Sequence, residues 1–182
     1  MAARSGLNCF LVFVLGIVFT IIVIIAGGYL YLRYGHPPVA VDDPAFPYEA
    51  QLVHVPLNAR IAREIKQPPF AASQDAFEQG AQVYKQDCAF CHGIPGQDSL
   101  YGTEMYPAAP QLWHKHKKGN VVGVSDDAVG ETYWKVKNGV RLTGMPTYED
   151  LLSDSEMWDV SLLLKNADQQ LPDPVMKTLK AQ

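Results

Sequence analysis

At 182 residues the chain has room for one compact domain of ordinary size and an accessory membrane segment. Its 15 Lys and Arg against 19 Asp and Glu make it mildly acidic, which argues against nucleic acid as a partner. Three cysteines are too few for a disulfide framework.

No acidic residue precedes Asp42, and the run from Leu7 to Leu32 carries no charge. About 20 residues at about 1.5 Å each cross the hydrocarbon of a bilayer, so residues 1–34 are predicted to be a transmembrane anchor. A cleavable signal peptide is the competing reading, but it needs an apolar core of only about 7 to 15 residues and a small-x-small cleavage site. Ala26-Gly27-Gly28 is small, yet it lies inside the run and bulky Tyr29-Leu30-Tyr31-Leu32 follows. Cys9 has no lipobox-like residues before it, which disfavours a lipid anchor there. Tyr29, Tyr31, Tyr34 and Arg33 would stand at one membrane interface as an aromatic belt. Arg4 and Arg33 balance, so charge does not orient the helix.

Residues 35–73 hold seven of the 13 prolines, from Pro37 to Pro69, and read as an extended linker. Within it Leu57, Ile61 and Ile65 recur at i+4, a pattern that fits one short helix docked on the domain beyond or on a partner, or an incidental turn.

The main domain is predicted over residues 74–170. Phe77, Gly80, Ala81 and Tyr84 recur at helical spacing, with Ser73 as a candidate N-cap. The run leads into Cys88-Ala89-Phe90-Cys91-His92. This spacing is the attachment signal for a c-type haem: two thiols about one helical turn apart form thioethers with one porphyrin, and the adjacent His92 lies beneath the iron as proximal ligand. A bare C-x-x-C would also suit thioredoxin-like chemistry or half a zinc site. The first would want a βαβ setting and the second another Cys/His pair, and neither is visible.

Further along, His114-Lys115-His116-Lys117-Lys118 reads as a solvated basic loop. Met145 stands between Gly144 and Pro146, where close backbone approach and a stiffened turn present its thioether as the second axial ligand. Met105 is a further candidate without a flanking glycine, and either histidine could in principle displace Met145. Ser153-Asp154-Ser155-Glu156 marks the start of a helix bearing Trp158, Val160, Leu162, Leu163 and Leu164, predicted to end near Ala167. Residues 171–182 are left as a C-terminal tail.

These motifs bring a family into view. Residues 74 to 170 resemble class I c-type cytochromes, in particular the membrane-anchored monohaem subunits of bacterial electron-transfer chains. The resemblance implies a small all-α cytochrome c domain wrapped around one covalent haem c; it is silent on the single N-terminal transmembrane helix and the extended tether, which complete the expected all-α chain from the residues alone. It implies that the terminal helices cross near Gly80, with Phe77 or Tyr84 against Trp158 and Leu162. It also implies a proline whose carbonyl accepts from the proximal histidine, for which Pro110 is the candidate, with Leu112 two residues on. Haem attachment on the outer side of an energy-transducing membrane then places the N-terminus inside, and the domain on the periplasmic face of the inner membrane.

The function expected on this basis is single-electron transfer through Fe(II)/Fe(III), without catalysis of its own and without a small-molecule substrate. Its partners would be redox proteins (a respiratory complex, an oxidase or a dehydrogenase) and membrane lipid. Two other readings stay open: a haem enzyme or gas sensor with a displaceable sixth ligand, and a mainly structural subunit of a respiratory complex.

Overall fold

The computed structural model describes residues 2–117 and 119–181. Met1, Lys118 and Gln182, which open the expected anchor, close the basic stretch and end the expected tail, lie outside the described residues. The described secondary structure is helical, with only isolated bridges at Ile94–Gln97 and Lys115–Val122 outside the helices. The chain divides into two units, residues 1–47 and 48–182.

The first unit is built on α1 (Ala2–Tyr34), whose 33 residues make a rod about 50 Å long. Its segment Cys9–Tyr34 is long and apolar enough to cross a membrane, and none of it is buried within the protein. Thr20 satisfies its hydroxyl by donating to the Gly16 carbonyl at 2.9 Å, which lets a polar side chain sit on an apolar helix. The Arg33 guanidinium lies 5.2 Å from the centre of the Tyr34 ring.

In the second unit, the segment expected as an extended tether contains a helix, α2 (Glu49–Glu64), with Pro56 inside it. The proline removes one donor. The helix survives because its C-terminal half packs on α6 (Val129–Asn138): Ile61 is buried, and the Trp134 indole N–H donates to Glu64 Oε2 at 2.8 Å. Arg60 closes the arrangement, 2.9 Å from Glu64 Oε1 and 5.6 Å from the Trp134 ring centre. The Leu57, Ile61 and Ile65 repeat thus falls on a helix that starts eight residues before Leu57, at Glu49, and continues through Pro56 to its C-cap at Ile65.

α3 (Gln74–Val83) is capped by Ser73, whose hydroxyl accepts from the Ala76 N–H at 3.2 Å. α7 (Asp154–Lys165) opens with a reciprocal capping box between Ser153 and Glu156. The two cross at Gly80, where an added Cβ would lie 2.5 Å from the Asp159 carbonyl oxygen. Trp158 stacks not on α3 but on Tyr133 of α6, with ring centroids 3.8 Å apart. The residues expected as a tail include α8 (Asp173–Lys180), whose Val175 and Leu179 are fully buried in the core with Ala81, Tyr84, Val160 and Leu163. Each of these burials is worth roughly 1.5–3 kcal/mol for the larger apolar side chains, which is why a short polar-looking segment is held in place.

Candidate haem-attachment site

α3 does not stop at Val83. It continues through a π-helical turn (Tyr84–Cys88) into α4 (Ala89–His92), so both thiols and the histidine stand on one continuous helical path. In the turn the ladder shifts register, with the Ala89 N–H donating to the Tyr84 carbonyl. Gly93 then breaks the helix at φ 73°, a conformation that favours glycine.

A helix this short leaves its last carbonyls without helical partners, and each of them is answered from elsewhere. Ser99 Oγ donates to the Phe90 carbonyl at 2.5 Å, and Gln111 Nε2 to the Cys91 carbonyl at 3.1 Å. The Leu112 N–H donates to the His92 carbonyl at 3.1 Å, and the buried Tyr84 hydroxyl to the Gly93 carbonyl at 2.8 Å. Gln111 also accepts from the Ser99 N–H at 2.7 Å, tying these supports together.

His92 Nδ1 lies 2.7 Å from the Pro110 carbonyl oxygen. A carbonyl only accepts, so Nδ1 carries the proton and Nε2 keeps its lone pair. Burial holds the ring below the ordinary imidazole range, with the Pro110 bond acting in the opposite direction. The imidazole is therefore neutral at physiological pH, the form that binds a metal.

Met145 follows α6. Gly139, at φ 65°, allows the chain to turn back so tightly that a Cβ there would meet the Pro146 carbonyl group at 2.7 Å. Thr143 Oγ1 donates to the Val140 carbonyl at 2.6 Å and accepts from the Met145 N–H at 3.1 Å. Thr147 Oγ1 donates to the Lys137 carbonyl at 2.6 Å. The Met145 side chain, Cys88 and Tyr148 all pack on the same hydrophobic core, and the Tyr148 hydroxyl donates to the Asp87 carbonyl at 2.8 Å. The loop bearing the methionine and the turn bearing the cysteines are thus brought together across 61 residues of sequence.

Residues 75–162 match the family model described as cytochrome c oxidase, cbb3-type, subunit III. This domain is a c-type cytochrome. No curated protein matches the chain. A cytochrome domain of this kind carries haem c bound covalently, and the donors present fit that group. They are two thiols a helical turn apart, an imidazole with its tautomer fixed, and a thioether on a loop fastened to the attachment turn. Burial, reinforced by the neighbouring Asp87, pushes the Cys88 thiol up to about 12. Burial likewise pushes the Tyr148 hydroxyl up to about 12, which keeps it a donor at working pH.

Leu112 is buried, and its N–H supports His92 as described. Met105, the further ligand candidate, comes to the same loop: its methyl group occupies the space beside Gly144, directly before Met145. His114 is exposed and pairs with Asp98 at 3.4 Å, and His116 is exposed in the same loop. Among the described residues no cluster of three His, Cys, Asp or Glu offers a second metal site. The supports Ser99, Gln111 and Tyr148 carry no motif. Gln111 alone had a signal, its place between Pro110 and Leu112.

Proposed function

We propose that the chain is a membrane-anchored monohaem cytochrome that passes single electrons between redox proteins. When bound, haem c supplies one-electron Fe(II)/Fe(III) cycling. Cys88 and Cys91 would hold it by thioethers, and His92 Nε2 and the Met145 sulfur would be its two iron ligands from the protein, which would leave no open position for a substrate. The observation that carries the reading is the pairing of a fixed His92 tautomer with a methionine loop bonded to the same turn through Tyr148. Methionine, a soft ligand, favours the reduced iron and raises the potential.

The apolar segment Cys9–Tyr34 is the proposed anchor, with the N-terminus inside and the cytochrome domain on the periplasmic side of the inner membrane. The matching family's description supports a partner of the terminal-oxidase class. On this reading the protein is a tethered carrier or a subunit of such a complex.

Haem retention and ligation test the proposal together. Denatured protein should keep its haem, and its intact mass should exceed that of the polypeptide by one haem. The ferric protein should show the weak sulfur-to-iron band at the red edge of the visible spectrum, and Met145→Ala should abolish it, admit CO to the ferrous protein and lower the potential. Native ferrous protein that binds CO rapidly would instead favour an enzyme or gas sensor.

A further inference from the structure

The Tyr148 hydroxyl makes a contact that the ligand set does not require. Tyr148 lies three residues beyond Met145, and the ring spans from the methionine loop to the carbonyl of Asp87, the residue before Cys88. Every other polar tie of the loop is local. Thr143 bonds within the loop, and Thr147 and the Tyr148 N–H reach only the last turns of α6, at Lys137 and Val136. Among the side-chain hydrogen bonds of the described residues 138–148, the Tyr148 bond is the one that crosses to the attachment turn. It meets that turn inside the π-helical segment, where the helix register is shifted.

We infer that Tyr148 is a positioning residue, a strap that holds the Met145 loop against the Cys88 turn and so sets how often the thioether leaves the iron. The inference rests on the proposed His92/Met145 ligation. The partly buried Tyr148 packs against the apolar core, so the ring's packing would persist without the hydroxyl, and Tyr148→Phe isolates the bond itself. Opening of the loop exposes the sixth position. The apparent CO affinity of the ferrous protein then scales with the open fraction.

The experiment compares the holoprotein with its Tyr148→Phe variant by hydrogen exchange, CO titration of the ferrous form and urea unfolding. Loss of one partly buried hydrogen bond should speed exchange of the 139–147 amides about five- to tenfold, leaving α3 and α7 peptides unchanged. CO affinity should rise by the same factor, and the red-edge ferric band should be lost at lower urea than the helical circular dichroism. In a Met145→Ala background, Tyr148→Phe should add nothing to CO affinity. Should Tyr148→Phe fail to load haem, 4-aminophenylalanine at position 148, which keeps a donor there, should return wild-type values. Unchanged loop exchange in Tyr148→Phe, or a loss shared equally by α3 and α7, overturns the strap. Faster loop exchange with CO binding unaffected by either Tyr148→Phe or Met145→Ala would instead overturn the ligation, leaving the fastening of the loop established.

Discussion

Pro110 contributes no side-chain polarity, yet its carbonyl decides which nitrogen of His92 carries the proton. The same economy appears at Gly80, where absence of a side chain is the functional property. A Cβ there would stand 2.5 Å from the Asp159 carbonyl oxygen and 3.0 Å from the Val160 nitrogen, both fixed parts of α7 that cannot rotate aside. Alanine would gain about 1 kcal/mol of helix propensity over glycine. Because the clash is with backbone, forcing α3 and α7 apart costs about 2–3 kcal/mol, the upper part of the overpacking range, so Gly80→Ala should destabilise the domain by about 1–2 kcal/mol net. Urea unfolding at constant m-value measures it; an unchanged or raised midpoint would show that the crossing yields. The glycine was legible because it stands within the apolar helical repeat at the place where the family resemblance implies a helix crossing. The partner atoms were not, since nothing local indicates that Asp159 rather than Trp158 lies beneath it.

Among the elements, legibility followed the strength of the local signal. α7 could be placed from its capping residues and apolar run, and α3 from Ser73 and the 3.6-residue repeat. The π-helical turn was invisible, because a register shift of one residue leaves no compositional mark. Of α2 only the Leu57 and Ile61 repeat was visible, its first turns being hidden by Pro56, and α8 was lost in a short polar stretch; tertiary burial of Ile61, Val175 and Leu179 stabilises both beyond local propensity. The docking of α2 makes its own prediction. The Trp134 indole bond, followed by the Arg60 bond, holds the Glu64 carboxyl below its ordinary value. A group whose pKa is depressed in the folded state adds stability above its unfolded value and loses it as pH falls through the folded value. The α2–α6 contact should therefore be constant from neutral pH down to the ordinary glutamate range, about 4.3, and loosen below it. Hydrogen exchange of the amides near Ile61 against pH reads this directly, and Glu64→Gln should flatten the profile. A profile that already changes between pH 7 and 5 would assign the docking to another group.

For the whole molecule the governing quantity is charge. Removing Arg4 and Arg33 from the 15 basic residues leaves 13 against 19 acidic ones beyond the apolar run, a formal charge of −6. Such a domain draws in a partner that presents a basic face. The exposed Lys115 and Lys117 reverse the sign locally, so the acidic surface elsewhere on the domain is the part expected to meet that partner. Steering of this kind acts over about 30 Å at 0.01 M salt and about 8 Å at 0.15 M. A tethered carrier that finds its oxidant by repeated encounters should therefore transfer electrons more slowly as salt rises across that interval. The second-order rate constant, followed by stopped-flow with a basic acceptor protein, should fall by at least about tenfold, within the range electrostatic steering produces. A permanent subunit is already docked, and its intracomplex rate has no encounter to screen. A rate independent of salt in the purified membrane protein, together with co-purification of the acceptor, would thus replace the shuttle with a fixed relay while leaving the ligation at His92 and Met145 untouched.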